Sequence, residues 1–139
     1  MDKRTFPNEV LLEEAAGLLN EGREVCFTPK GNSMLPFIRG GKDSVVLKKL
    51  PTVSVGDIVL VRLPGRYVLH RVVAINNEEL TLMGDGNIRG TEQGSLPDVM
   101  GTVTSIRKGE RNVVPGKGRL WRAIKPLRRY ILALYRRLI

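Results

Sequence analysis

The sequence predicts a mainly β protein, in which short strands form a compact, coiled or barrel-like sheet between a short N-terminal helix and a basic C-terminal helix. Three observations predict this class. Apolar and β-branched runs alternate with glycine- and proline-containing turns from residue 24 to residue 106. Residues 9–22 instead repeat apolar side chains at helical spacing. Residues 116–139 combine an apolar stripe of helical period with eight basic residues and no acidic residue.

Length and composition limit the classes of protein. A chain of 139 residues suits one domain with a hydrophobic core. The single cysteine, Cys26, excludes an internal disulfide. One cysteine and one histidine are too few ligands for a typical zinc site, so we expect no metal and no cofactor. No apolar run approaches the ~20 residues of a transmembrane helix, and no signal-peptide core follows Met1. These features predict a cytoplasmic protein, or one that lies peripherally on a membrane surface.

The formal net charge of +9 is unevenly distributed along the chain. Residues 1–115 contain 15 Lys and Arg against 14 Asp and Glu, whereas residues 116–139 contain eight Lys and Arg and no acid. The sequence therefore predicts a nearly neutral domain, residues 1–115, followed by a basic tail, residues 116–139.

The first predicted element is a helix. Pro7 and Asn8 indicate its start, and Gly22 lies where a C-terminal cap is expected. Its apolar stripe predicts a lid on the core of the protein. The stripe consists of Leu11, Leu12, Ala15, Ala16, Leu18 and Leu19.

Six strands are predicted after this helix, each bounded by turn-forming residues. They cover residues 24–28, 44–47, 56–63, 67–75, 80–83 and 99–106. Pro64 and Gly65 separate the third strand from the fourth and predict a β-hairpin. The segment 84–87 and the polar stretch that follows it to Pro97 are expected to be loops.

The segment 30–36, Lys-Gly-Asn-Ser-Met-Leu-Pro, holds the candidate nucleophile, Ser33. Gly31 permits a sharp turn and Pro36 fixes the exit of the chain. A serine on a rigid turn can attack a carbonyl, and its own N–H can stabilise the resulting oxyanion. The serine needs a base, and the candidate is the single histidine, His70, on a predicted strand. The alternative is an ordinary turn at Ser33 and a structural histidine.

Four segments resemble, in order, the sequence boxes of type I signal peptidases. They are Ser33-Met34-Leu35-Pro36, Gly56-Asp57-Ile58-Val59, His70-Arg71-Val72-Val73 and Gly84-Asp85-Gly86-Asn87. The segment 31–46 is also similar to the self-cleaving serine peptidases of the SOS-repressor type, which share that fold. The resemblance covers roughly residues 25–108 and implies that Ser33 is the nucleophile and His70 the base. Many bacterial members carry lysine at the base position, whereas the archaeal and endoplasmic-reticulum branch carries histidine.

Two positions depart from the pattern of that superfamily. Bacterial signal peptidases place a serine two residues before the nucleophile to assist the oxyanion, and this position is Gly31 here. Histidine-type members carry a carboxylate a few residues beyond the Gly-Asp-x-Asn loop, where this chain has Thr91 and then Glu92. We therefore keep two candidates for a carboxylate that orients His70. Asp85 is favoured over Glu92 because its loop is expected beside the serine turn. The alternatives are that Asp85 only holds this loop and that the site is a plain Ser–His dyad.

The basic tail predicts an amphipathic helix. Leucine and isoleucine recur at intervals of three and four residues from Leu120 to Leu138, with aromatic residues beside them. This composition is typical of a helix that lies in an anionic membrane surface. The candidate membrane-surface residues are Trp121, Lys125, Arg128, Arg129, Arg136 and Arg137. The alternatives are a helix packed on the protein or on a second subunit and, less favoured, a nucleic-acid arm. Pro126 is expected to kink or divide the helix.

The resemblance implies a serine endopeptidase that uses a Ser33–His70 dyad, with Asp85 or Glu92 as a third member, to cleave a peptide or a precursor protein. The alternative is a β-rich binding or regulatory module that kept the fold and lost turnover. Self-cleavage is a third and less favoured hypothesis, since we identify no DNA-binding segment and no clear Ala-Gly scissile pair upstream of the serine. The distance between Ser33 Oγ and the His70 ring distinguishes the enzyme from the binding module, because a base must come within hydrogen-bond reach of its nucleophile.

Overall fold

The computed structural model describes residues 2–4, 9–87, 90–123 and 127–138. Over these residues the protein is mainly β, as predicted, with one curled, largely antiparallel sheet of half-barrel shape. The strands are β1 Asp2–Arg4, β2 Val25–Phe27, β3 Ser44–Lys48, β4 Ile58–Leu63, β5 Arg66–Asn76, β6 Glu79–Met83, β7 Glu92–Ser95, β8 Val99–Lys108 and β9 Arg111–Val113. The helices are α1 Glu9–Asn20, α2 Arg119–Ala123 and α3 Arg128–Leu138, and a short 3-10 turn, Leu96–Asp98, precedes β8.

The strands follow the spatial order β1-β2-β3-β8-β4-β5-β6-β7, and β9 pairs with β8. Strands β1 and β2 are parallel, and the other pairs are antiparallel. The register shifts between Val46 and Leu47 in β3, and again between Leu60 and Val61 in β4. Such irregularities bend a strand and increase its twist, which favours the curl of the sheet.

Residues 58–61 of β4 are buried on both faces, which explains why this part of the strand is an uninterrupted apolar sequence. Ile58 and Leu60 pack into one hydrophobic cluster, while Val59 and Val61 pack into a second. Successive side chains of a strand point to opposite faces, so this division follows from the strand period of two. The predicted hairpin is also confirmed, because Leu63 of β4 pairs with Arg66 of β5 across the Pro64-Gly65 turn.

Helix α1 covers the first cluster, as the apolar stripe predicted. Ala15 and Leu19 are fully buried in that cluster. The helix ends in a Schellman motif, in which the Gly22 N–H donates to Leu19 O at 3.0 Å and the Arg23 N–H donates to Leu18 O at 3.1 Å. Gly22 has φ +86°, a conformation that disfavours a side chain. The predicted start of the helix at Pro7 and Asn8 lies outside the described residues.

Three strands were not predicted from the sequence. Strand β7, Glu92–Ser95, lies in the polar stretch that was expected to be a loop, and it pairs with β6 at the end of the sheet. An edge strand needs no continuous apolar sequence, because one of its sides has no neighbouring strand. The other two, β1 and β9, have three residues each and carry no periodic signal.

The tail packs against the domain through a small hydrophobic cluster of Leu35, Trp121 and Leu132. Trp121 is 7% exposed and Arg128 is 2% exposed, so the prediction that these two residues lie on a membrane-facing surface is wrong. Their side chains instead attach the tail to the domain: Trp121 Nε1 donates to Asp85 O at 2.8 Å, and Arg128 Nη1 donates to Met83 Sδ at 3.6 Å.

Other predictions for the tail have different outcomes. Arg129, Arg136 and Arg137 are on the exposed surface. Lys125 and the kink expected at Pro126 lie outside the described residues. In the part of the chain that the structure describes, no helix has both the length and the apolar character needed to cross a membrane.

Candidate active site

Ser33 lies on a tight turn between β2 and β3, and the side chains that follow the serine are buried in the protein and hold this turn in place. Met34, Leu35 and Ile38, which follow the serine, are at most 3% exposed. The turn is closed by main-chain hydrogen bonds, with the Ile38 N–H donating to Met34 O at 3.0 Å and the Leu35 N–H donating to Asn32 O at 3.2 Å. The buried side chains hold the turn, and Ser33 itself remains half-exposed.

A second loop, residues 39–43, supports the serine turn. The Gly40 N–H donates to Asn32 Oδ1 at 3.1 Å, which links the two segments directly. Asp43 is fully buried and accepts from the Arg39 N–H at 2.8 Å and from Lys108 Nζ at 2.7 Å. Burial raises the pKa of Asp43, but the hydrogen bonds from Arg39 and Lys108 outweigh it and lower the pKa to about 2. The carboxylate is therefore ionised throughout the neutral range.

His70 lies on β5 and lines the same cavity as Ser33. The cavity has a volume of about 290 Å³ and is open to solvent. His70 is 8% exposed, so its ring is largely shielded from water. A Cβ on Gly84 would lie 3.2 Å from His70 Nε2 and would overlap the carbonyl oxygen of Ser33. Nε2 and the Ser33 carbonyl oxygen therefore both lie against a position that only glycine can occupy without displacement.

The other ring nitrogen of His70 faces a carboxylate. Nδ1 lies 2.7 Å from Glu92 Oε1, but the contact lacks the alignment of a normal hydrogen bond. Arg66 forms an ion pair with the second oxygen, Glu92 Oε2. Burial lowers the pKa of His70, Arg66 lowers it further, and Glu92 partly opposes the change. The net effect favours a neutral imidazole at neutral pH.

Asp85, the favoured candidate for orienting His70, is instead engaged by Arg71. Arg71 Nη2 donates to Asp85 Oδ2 at 2.6 Å and Nε donates to Oδ1 at 3.1 Å, so the pair is bidentate and buried. Arg71 also donates to Gly56 O at 2.9 Å and to Gly116 O at 2.6 Å. Of the two candidates, the carboxylate in contact with His70 is therefore Glu92, which corrects the preference for Asp85.

The Gly-Asp-Gly-Asn loop, residues 84–87, is fastened to both the serine turn and the tail. The Gly86 N–H donates to Ser33 O at 2.7 Å. Trp121 Nε1 donates to Asp85 O at 2.8 Å, and Arg136 Nη2 donates to Gly86 O at 3.1 Å. Sequence reasoning missed these supporting roles of Arg71 and Trp121. The available signal was the arginine directly after His70 in an apolar strand, since a buried guanidinium requires a carboxylate partner.

The cavity beside Ser33 has a mixed lining. Apolar side chains contribute to its wall, together with two basic residues and with the polar side chains of Ser33, Tyr67 and His70. The apolar lining consists of Leu12, Phe27, Pro29, Met34, Ile38, Leu60, Val68 and Leu69, and the basic residues are Lys30 and Arg66. Among the residues that the structure describes, no three His, Cys, Asp or Glu side chains converge on a common metal position.

The fold and the site define a class of protein: a curled β half-barrel that carries a serine turn opposite a buried strand histidine. Residues 4–89 match the sequence profile of the family described as Peptidase S24-like, and the chain belongs to this family. The match confirms the predicted membership of the signal-peptidase-like superfamily and a serine peptidase-type fold. It contains Ser33, His70 and Asp85 but ends before Glu92 and the tail. No curated protein matches the chain.

Proposed function

We propose that this protein is a serine endopeptidase in which Ser33 is the nucleophile, His70 the general base and Glu92 the carboxylate that orients His70. One observation carries the proposal: Ser33 and His70 line one cavity, and His70 Nε2 faces the Gly84 position against which the Ser33 carbonyl lies. The family match supports a peptidase fold. The contact between Glu92 Oε1 and His70 Nδ1 supports the role of Glu92 as the carboxylate that orients His70.

The reaction follows the sequence of proton transfers known for serine nucleophiles. His70 Nε2 accepts the proton of Ser33 Oγ as the oxygen attacks the carbonyl carbon of the scissile peptide. The Ser33 N–H donates to the oxyanion, and one such donor contributes ~3–4 kcal/mol to stabilisation of the transition state. The imidazolium then donates its proton to the leaving amine, and water hydrolyses the acyl-enzyme by the reverse transfers. Glu92 stabilises the imidazolium while it exists.

The lowered pKa of His70 suits the role of a base. An imidazole that is neutral at pH 7 can accept a proton without prior deprotonation. A lysine at this position would need much stronger desolvation to lose its proton, because its ordinary pKa is about 10.4. The peptide is expected to bind in an extended form, with an apolar side chain in the cavity beside Ser33.

Self-cleavage gains no support from the structure. The chain has an Ala-Gly pair upstream of the serine, Ala16-Gly17, but it lies in the middle of helix α1. Ala16 is 6% exposed, so this bond is neither extended nor presented to the cavity as a substrate would be. A separate peptide or precursor protein is therefore the proposed substrate.

The test is labelling of the full chain with a fluorophosphonate probe, which reacts with activated serines, together with cleavage of a peptide library. We expect the label on Ser33, and we expect Ser33→Ala and His70→Ala to abolish both labelling and cleavage. Ser105→Ala is the matched control, because Ser105 is half-buried on β8 and does not line the cavity. Labelling of Ser33→Ala at the wild-type rate would refute the assignment. A folded wild-type protein that neither reacts nor cleaves would favour the binding-module alternative.

A further inference from the structure

Helix α3 has one face against the domain and a different, apolar face in solvent. Leu132 is fully buried, and Arg128 and Tyr135 lie on the same side of the helix as Leu132. The apolar face is exposed: Leu127 is 55% exposed, Tyr130 61%, Ile131 38% and Leu134 61%. Tyr130, Ile131 and Leu134 have helical spacing on α3, and Leu127 directly precedes the helix, so the four residues continue one stripe along it. We call them the exposed stripe.

The exposed stripe is flanked by cations. Arg129 and Arg137 are exposed beside it, and no acidic residue occurs between residues 116 and 139. Arg129 Nη2 donates to the Tyr130 hydroxyl at 2.9 Å, and its guanidinium lies 4.9 Å from the centroid of the Tyr130 ring. The stripe thus has a tyrosine with a polar tip and two guanidinium groups at its border.

We propose that the exposed stripe docks the protein on an anionic lipid surface, with helix α3 parallel to the membrane plane. Leucine, isoleucine and tyrosine side chains would enter the interfacial region of the bilayer, and the flanking arginines would reach lipid phosphates. This inference concerns only the outer face of α3 and does not depend on the proposed peptidase activity.

The chemistry of the tail favours lipid over the other occupants. Binding to the phosphates of a nucleic acid requires cations but no apolar stripe. A second copy of the chain, docked symmetrically, would place two basic tails against each other without any acid to compensate their charge. An anionic lipid surface instead offers negative charge and an apolar interior to the same helix face.

The structure also changes which residues should carry the binding. Trp121 and Arg128, expected in lipid from the sequence alone, are buried and hold the tail on the domain. Leu127, Ile131 and Leu134 are free to enter a bilayer while Leu132 stays packed. The protein therefore presents a preformed helix, and binding does not require the tail to leave the domain.

The test is sedimentation of the full chain with vesicles of phosphatidylcholine and phosphatidylglycerol in equal parts. We expect wild-type protein to bind these vesicles and to bind vesicles of phosphatidylcholine alone at least about tenfold more weakly, because the surface charge attracts the arginines. Replacing Leu127, Ile131 and Leu134 together by Ser should weaken binding to the anionic vesicles at least about tenfold. Arg129→Gln with Arg137→Gln should weaken it less in high salt than in low salt, because salt already screens the charge.

The matched control replaces three exposed apolar residues outside the tail, Leu50→Ser, Val55→Ser and Val114→Ser, and should bind like wild type. Fluorescence of Trp121, the single tryptophan, reports whether each variant keeps its tail docked. Three results would overturn the proposal: no binding of wild type to anionic vesicles, equal binding of the tail variant with Trp121 emission unchanged, or binding to duplex DNA that is tighter than binding to vesicles. Concentration-dependent dimerisation that the tail variant abolishes, without vesicle binding, would assign the stripe to a second copy instead.

Discussion

His70 Nδ1 lies 2.7 Å from Glu92 Oε1, although the two residues belong to β5 and β7, with β6 between these strands in the sheet. The contact forms where β6 ends: Arg71 pairs with Met83 and Leu82 pairs with Glu92, so the side chain of Glu92 can reach past the last residue of β6. Arg66, at the start of β5, binds the other oxygen of the same carboxylate. His70 therefore experiences an anion and a cation whose effects on its pKa have opposite signs.

Glu92→Gln should reduce peptidase activity and move its pH dependence. Glu92 raises the pKa of His70, so its neutralisation should lower that pKa further. The acidic limb of the kcat/KM profile, where activity rises with pH, should then shift to lower pH. Loss of the orienting carboxylate should reduce kcat by about 10²–10⁴. A pH–rate profile of the purified variant measures both effects, and a limb that moves to higher pH would contradict the role of Glu92.

Arg66→Gln should have the opposite effect on the same profile. Arg66 lowers the pKa of His70, so its removal should raise this pKa and move the acidic limb to higher pH. Arg111→Gln, an exposed arginine on β9, is the control for loss of one positive charge and should leave the limb unchanged. Equal shifts in the two variants would mean that only the overall charge of the protein matters.

His70 should also make folding stability depend on pH. Its pKa in the folded protein is below the ordinary value of ~6.5, so the unfolded chain binds the proton first as pH falls. The stability that this group contributes is present above pH ~6.5 and is lost as pH falls toward the folded pKa. Urea unfolding of wild type and of His70→Gln between pH 8 and pH 5 measures this loss. The free energy of unfolding should decrease less in the variant than in wild type as pH falls. A steeper decline in His70→Gln would mean that burial does not disfavour the charged ring.

Asp43→Asn should destabilise the fold at neutral pH but much less in acid. The pKa of Asp43 falls from 3.8 to about 2 on folding, which corresponds to about 2 kcal/mol of stability above pH ~4. That stability is lost as pH falls from ~4 to ~2, because both states then become protonated. Urea midpoints at pH 7 and pH 2.5 compare the variant with wild type, and Glu110→Gln, at an exposed position, serves as the control. If Asp43→Asn loses the same amount of stability relative to wild type at both pH values, ionisation of Asp43 is not the source of the stability.

Asp85→Ala should be strongly destabilising because it leaves the Arg71 guanidinium buried without a counter-ion. Breaking one partner of a buried pair costs about 3–5 kcal/mol. The double variant Asp85→Leu with Arg71→Met removes both charges and should recover much of this loss. Chemical denaturation of Asp85→Leu, Arg71→Met and the double variant measures the coupling between the two side chains. If Asp85→Ala unfolds like wild type but loses activity, Asp85 acts in catalysis rather than in holding the loop.

The sequence was sufficient for elements that local patterns specify. The apolar runs located the central strands, and Pro64-Gly65 predicted the β4–β5 hairpin. The serine turn and the single histidine were identified as candidates because each carries its own chemical or conformational signal. Strand β7 carries none, since its sequence, Glu-Gln-Gly-Ser, is polar and becomes a strand only by pairing with β6.

The tail likewise has properties that the local sequence specifies and others that depend on tertiary contacts. By itself, the sequence determined that the segment is helical, basic and apolar at helical intervals, because these properties depend on neighbours three and four residues apart. Only the tertiary structure decided that Trp121, Arg128 and Leu132 face the domain, that Leu127 and Leu134 face solvent, and that Glu92 rather than Asp85 contacts His70. These contacts join residues that are far apart in the sequence. They are determined by the pairing of strands and by the burial of charged groups, which local sequence patterns do not specify.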